Sequence, residues 1–217
     1  MDLFDRAPGS SGLPRTEHLG PGAVLLRGFA GPSLADIVGD LRKTVAIAPF
    51  RHMITPGGFR MSVAMSNCGA LGWVSDRSGY RYSREDPGSG RPWPPMPDSF
   101  RTPAESAAAA AGFQGFAPDA CLINRYDPGA RMTLHQDKNE RDFSQPIVSV
   151  SLGLAAVFLF GGESRSDRPA RVRLAHGDVV VWGGPSRLVF HGVMPMQDGV
   201  HPLLGPHRFN LTFRKAG

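Results

Sequence analysis

Apolar and polar positions alternate along much of this chain, and most clearly near its end. In Arg208-Phe209-Asn210-Leu211-Thr212-Phe213-Arg214 three apolar residues take one side and four polar ones the other. That is the pattern of a strand with one face on a core. Six further runs read as strands: Ala120–Tyr126, Ile147–Leu152, Ala156–Phe160, Arg171–Leu174, Asp178–Trp182 and Leu188–Gly192. Gly, Pro or Asp punctuates nearly every gap between them. An earlier strand is predicted over Val24–Phe29. Helical spacing occurs twice. After Pro32-Ser33, with Ser33 as the cap, Leu34, Ile37, Val38 and Leu41 mark an amphipathic helix; Ser99–Ala111 marks a second, Ala-rich one closed by Gly112. Residues 50–97 lack sustained periodicity and are dense in Gly, Pro and aromatics. They predict either an adaptable binding surface or a long loop packed on the core. Residues 1–20, rich in Gly, Pro and Ser, predict a mobile tail.

Two helices followed by about seven short strands predict an α+β, mainly β fold, a helix-buttressed β-sandwich or jelly roll. The length of 217 residues favours one domain, over 21–217. A hydrophobic share of 41% supplies a buriable core, yet no apolar run is long enough to span a membrane. The first residues lack the basic and apolar blocks of a secretory signal. Cys68 and Cys121 are too few for a disulfide framework and read as small buried hydrophobes, so the expected compartment is the cytoplasm. The formal net charge of +5 favours a polyanionic partner.

The candidate chemistry centres on Arg131-Met132-Thr133-Leu134-His135-Gln136-Asp137-Lys138. On an extended backbone His135 and Asp137 present an imidazole and a carboxylate side by side. Two histidines, one carboxylate and open positions suit non-haem Fe(II) chemistry with O₂, and the distant His191 can complete that set. Arg208, Asn210, Thr212 and Arg214 share the polar face of the last strand. Guanidinium groups turned inward near a metal fit a small dicarboxylate co-substrate. Asn124 and Tyr126 share a face by the same rule, and both can hydrogen-bond a carboxylate.

With these residues in view the sequence resembles the AlkB-type Fe(II)/2-oxoglutarate-dependent dioxygenases, which repair alkylated bases. The resemblance is carried by Asn124-Arg125-Tyr126, Leu134-His135-Gln136-Asp137-Lys138, Val148–Gly153, His176–Gly184, His191-Gly192 and Arg208–Arg214. Thr55-Pro56-Gly57-Gly58, Asn67-Cys68-Gly69 and Leu71-Gly72-Trp73 point to the bacterial branch. The resemblance implies a double-stranded β-helix (jelly-roll) core over about residues 118–217, beneath a flexible nucleotide-recognition lid over about 50–97. It implies Fe(II) on His135, Asp137 and His191, with O₂ and 2-oxoglutarate as co-substrates. Arg208, Asn124 and Tyr126 would hold the distal carboxylate of 2-oxoglutarate. Arg214, helped by Asn210, would hold the nearer one. Trp73 would stack on the flipped base, Tyr80 and Tyr82 would meet the substrate backbone, Arg165 would touch substrate, and Met61 and Ser149 would line the pocket. The implied reaction is oxidative demethylation of bases such as 1-methyladenine and 3-methylcytosine, releasing formaldehyde and succinate. The implied partners are single-stranded DNA, then double-stranded DNA and RNA, handled by a monomer without a membrane.

One departure stands out. After Lys138 the family usually carries Asp-Glu, where this chain has Asn139-Glu140. An amide accepts a hydrogen bond but adds no charge, which predicts weaker selection of cationic lesions. Two other classes share parts of the pattern: a 2-oxoglutarate oxygenase acting on a protein or small molecule, and a non-catalytic cupin-like module. The first would leave the aromatic segment and basic charge without purpose; the second would not need both inward arginines.

Overall fold

The computed structural model describes residues 15–217. Strand β12 (Val179–Trp182) shows the plan. Val179 and Val181 point into one hydrophobic core and Val180 and Trp182 into a second, so the sheet containing β12 is buried on both faces. This main sheet has eight antiparallel strands. Their order is β1 (Thr16–Gly20), β2 (Ala23–Leu26), β12, β9 (Ile147–Gly153), β14 (Arg208–Arg214), β7 (Ala120–Tyr126), β4 (Arg60–Gly69) and β3 (Arg51–Ile54). Helices α1 (Leu34–Ile47) and α2 (Asp98–Ala110) cover one face. Ile37, Leu41, Phe100, Ala104 and Ala107 pack there against Val148, Val150, Leu211 and Phe213. A four-stranded sheet in the order β11 (Ala170–Leu174), β10 (Ala156–Phe160), β13 (His191–Val193) and β8 (Met132–His135) lies across the other. Phe158, Phe160, Leu174 and Val193 of this minor sheet meet Leu25, Ile147 and Trp182 of the main one. Two facing antiparallel sheets with helices behind the larger make the expected helix-buttressed jelly roll.

The boundaries of Ala120–Tyr126, Ala156–Phe160 and Arg208–Arg214 match their hydrophobic patterns. Other expectations need correcting. The tail expected over 1–20 holds a strand at Thr16–Gly20, and its residues 1–14 lie outside the described residues. There β1 pairs with β2, and Arg27 grips Glu17 through Nε and Nη2 at 3.1 and 3.0 Å. The early strand ends at Leu26, before Phe29. Ser33 stands at the start of α1 but makes no side-chain capping bond. The strand expected over Leu188–Gly192 begins only at His191, because Val189 N–H closes a turn on Ser186.

The largest correction concerns residues 50–97, which hold four strands. β3 and β4 extend the main sheet through β7, while β5 (Gly72–Asp76) and β6 (Gly79–Ser83) form a separate hairpin. Periodicity failed in β4 because Val63 to Cys68 are buried without interruption, so no exposed face alternates with an internal one. Its polar members are paired inside: Ser66 Oγ donates to Ala48 O, and Asn67 bonds both the N–H and the carbonyl of Trp73.

Candidate active site

Between the sheets is a cavity of about 1000 Å³. Strands β8 and β13 bring His135 opposite His191, with ring centres 4.4 Å apart. Gly192 permits this approach, since a Cβ there would lie 2.6 Å from Met132 O. Asp137 follows β8 by two residues. Its Oδ1 lies 3.8 Å from His135 Nε2 and its Oδ2 3.7 Å from His191 Nε2; one donor atom from each residue lies within 4.8 Å of the others. Each histidine directs Nδ1 at a backbone carbonyl, Thr133 at 2.9 Å and Val189 at 3.1 Å. A proton on Nδ1 donates there and leaves a lone pair on Nε2, the tautomer a metal ligand needs. Burial, and then His135, push the His191 imidazole down to about 4 despite Asp137, so it is neutral near pH 7. Burial alone would raise the Asp137 carboxyl, but Arg214 and the two histidines hold it well below the usual range. Two imidazoles and one carboxylate fit Fe(II) with positions left open.

The main sheet supplies the facing wall. Antiparallel register sets Arg208 opposite Tyr126, and Asn210 opposite both Asn124 and Ser151, so these side chains share the inner face. Arg208 is 1% exposed. Its Nη2 reaches Ser151 Oγ at 3.2 Å, while Nε and Nη1 have no hydrogen-bond partner; neither has Asn124 Oδ1. Burying guanidinium N–H groups unpaired is costly, and a carboxylate of 2-oxoglutarate matches them in charge and shape. Burial raises the Tyr126 hydroxyl to about 12, with Arg208 opposing, so it stays a donor. Arg214 is engaged differently. Its Nε and Nη2 donate to Asp137 Oδ2 at 3.1 and 2.6 Å, and Nε lies 3.4 Å from Glu140. Asn210, on the same inner face of β14, is bonded to Ser149, Val150 O, Thr212 and Asn124.

Toward the cavity mouth Trp73 is half-buried and stacks on Tyr80 at 5.6 Å and 16°. Its indole N–H donates to Asn139 Oδ1 at 3.2 Å. Met61, Ser149 and Arg165 line the same cavity, with Arg165 bonded to Leu134 O and lying over the Phe190 ring. Tyr82 is the exception among the expected site residues. It does not line the cavity, and its hydroxyl donates to Glu140 Oε1 at 2.5 Å. Period two puts Tyr80 and Tyr82 on the same side of β6, and their partners separate them: Tyr80 stacks on Trp73 at the mouth, whereas the Tyr82 ring runs to buried Glu140.

Several residues had no role in the sequence reading. Glu140 is buried and ties together Tyr82, Arg187 and Arg214. Arg187, equally buried, donates to Asp137 O at 2.8 Å and Gln145 O at 2.9 Å, fixing the segment after β8. Trp182 and Phe158 wall His191, with ring centres 5.0 and 6.1 Å away. Glu140 could have been found from its place beside Asn139 in the motif. Arg187 sits in a turn and carries no local signal.

A three-donor metal site facing a buried, partly unpaired arginine inside a jelly roll defines a class: Fe(II)/2-oxoglutarate-dependent dioxygenases. The chain belongs to the 2OG-Fe(II) oxygenase superfamily, which it matches over residues 22–214. Within that superfamily it is of the bacterial AlkB type. It is 55% identical to the alpha-ketoglutarate-dependent dioxygenase AlkB of Salmonella typhimurium, over 100% of this chain and 98% of that one. The nucleic acid dioxygenase ALKBH1 of Mus musculus is 36% identical over 59% of this chain and 34% of its own length. Among solved structures OsALKBH1 superposes with a TM-score of 0.79 at 31% identity, covering 93% of this chain and all of that one. Fe(II) and 2-oxoglutarate are thus the cofactor and co-substrate.

Proposed function

We propose that this enzyme oxidatively demethylates N-alkylated bases such as 1-methyladenine and 3-methylcytosine in single-stranded DNA, and also in double-stranded DNA and RNA. The observation that carries the reading is the placement of Trp73. Backed by Tyr80 and tied through its indole N–H to Asn139, it borders the same cavity as Asp137, two residues along the chain. A flipped base loses its stacking in the helix, and an aromatic face at the mouth offsets part of that cost. The electron-rich indole also favours a cationic methylated ring over a neutral one.

In this reading His135, Asp137 and His191 hold Fe(II), which when bound supplies the O₂-dependent oxidation coupled to decarboxylation of 2-oxoglutarate. Arg208, with Asn124 and Tyr126, grips the distal carboxylate of 2-oxoglutarate. Arg214 serves the nearer carboxylate and holds Asp137 in place. Met61, Ser149, Tyr80, Asn139 and Arg165 shape the base site and entrance. Residues 21–217 act as one catalytic domain, with the β5–β6 hairpin and neighbouring loops as the part that adapts to nucleic acid. A monomer suffices for one flipped base, and a cytoplasmic setting agrees with two unpaired cysteines.

The test is incubation of the enzyme, Fe(II) and 2-oxoglutarate with single-stranded oligonucleotides carrying either lesion, followed by mass spectrometry. Loss of the methyl group with matching succinate is expected. Succinate without methyl loss from any oligonucleotide would transfer the reading to a protein or small-molecule oxygenase.

A further inference from the structure

The loop joining β10 to β11 runs from the cavity mouth to the back of the minor sheet. Arg165 at its near end lines the cavity, and Arg168, three residues on, borders a second cleft of about 590 Å³. That separation is at most about 10 Å of chain. The cleft is formed with Leu159, Arg171 and Met194. Register explains why it faces outward. Leu159 pairs with Arg171 and Val157 with Arg173, whereas Phe158 pairs with Val172 on the inner, core-facing side. The outer face therefore carries half-exposed Val157, Leu159 and Met194, bordered by exposed Arg168, Arg171 and Arg173. β11 is also an edge strand, so this face is not closed by a further strand. Of the carboxylates nearby, Asp167 accepts the Ser164 N–H, Glu17 and Asp178 hold Arg27, and Glu163 on the same loop is exposed and in no ion pair among the described residues. Among the described residues none of the three arginines is in an ion pair within 4 Å.

We infer that the outer face of β10 and β11 is a secondary nucleic-acid contact, taking the nucleotides that flank the target base as the substrate strand leaves the mouth past Arg165. Arg168, Arg171 and Arg173 meet successive phosphates, and Leu159 and Met194 give an unstacked base an apolar floor. A row of unpaired guanidiniums beside apolar surface, continuous with the catalytic mouth, suits a strand bearing both phosphates and bases. The inference rests on the nucleic-acid reading of the active site and adds the path of the strand outside it.

The test compares the parent enzyme with the triple variant Arg168→Ser/Arg171→Ser/Arg173→Ser. One readout is KM for methylated oligonucleotides of about 4 and about 15 nucleotides. The other is the salt dependence of binding to an unmodified 15-mer, by fluorescence anisotropy. The parent should show a lower KM for the longer substrate, and the variant should lose most of that advantage while matching the parent's kcat on the short one. The slope of log affinity against log salt should fall by about 2, the value for three lost single-strand phosphate contacts. Demethylation with parental length dependence and an unchanged slope overturns the secondary contact and leaves the active-site reading standing. Failure of both proteins to demethylate or bind any oligonucleotide removes the active-site reading, and this inference with it.

Discussion

Asn139 occupies the position where a single atom decides charge. Its Oδ1 accepts the Trp73 indole N–H, a bond an aspartate oxygen can also make. Asn139→Asp should therefore keep Trp73 in place and add a negative charge beside the base. A charged hydrogen bond contributes about 1.5–3 kcal/mol against about 1 for a neutral one. The ratio of kcat/KM for 1-methyladenine to that for a neutral methylated base should rise several-fold; an unchanged lesion ranking would count against a selective role. Trp73→Ala isolates the stacking contribution. Base–aromatic stacking of about 1–3 kcal/mol corresponds to a loss of about 5- to 150-fold in kcat/KM on methylated DNA. Turnover of 2-oxoglutarate without substrate should hardly change, because Arg208 and the metal donors do not rest on the indole. Equal losses in the two assays would make Trp73 a scaffold residue. Both residues were legible from the motif, but the bond between them was not, because it links a hairpin to the segment after β8.

Three elements carry the donors, and their pairing determines whether the donors meet. β13 is only three residues long and lies against β8 so closely that Gly192 has no room for a side chain. Gly192→Ala should force β13 away from β8 and pull His191 from His135. We expect at least about a 10-fold loss of divalent-metal affinity by calorimetric titration, with about 1–3 kcal/mol of lost stability from the overpacked contact. Metal affinity at the parental value would show that the two strands do not set the donor spacing. The segment after β8 has no strand to hold it. Glu140 and Arg187 do so instead, one anchoring Tyr82 and Arg214 and the other Asp137 O and Gln145 O. Removing either partner would leave a buried charge unmatched.

For the whole molecule the buried histidines set the acid limb of stability. His191 titrates near 4 in the folded protein, below its ordinary value near 6.5, and His176 is lowered by partial burial and by His201. As pH falls through 6.5 the unfolded chain takes up these protons first, so stability is lost between about pH 6.5 and 4. For His191 alone this amounts to about 3 kcal/mol. Asp137 acts in the same direction at lower pH: its depressed carboxyl contributes stability above its ordinary value near 3.8 that is lost only below it. The metal-free protein should therefore show a Tm that declines over pH 6.5–4, and His191→Asn should flatten the decline. A flat parental profile would mean that His191 is not buried neutral.

What the amino-acid sequence determined by itself is local. Period-two alternation in Arg208–Arg214 assigned Phe209, Leu211 and Phe213 to the core and Arg208 and Arg214 to the other face, because in an extended chain neighbours must point opposite ways. The residue types of His135, Asp137 and His191 likewise limited the chemistry to a metal with open positions. Tertiary structure decided the rest. Strand register brought His135 opposite His191 and Arg208 opposite Tyr126. Burial on both faces erased the alternation that would have revealed β4. Tyr82 and Tyr80 looked alike in sequence, yet one anchors Glu140 and the other backs Trp73. Contacts between distant segments depend on which strands pair and at what offset, and local periodicity carries no record of either.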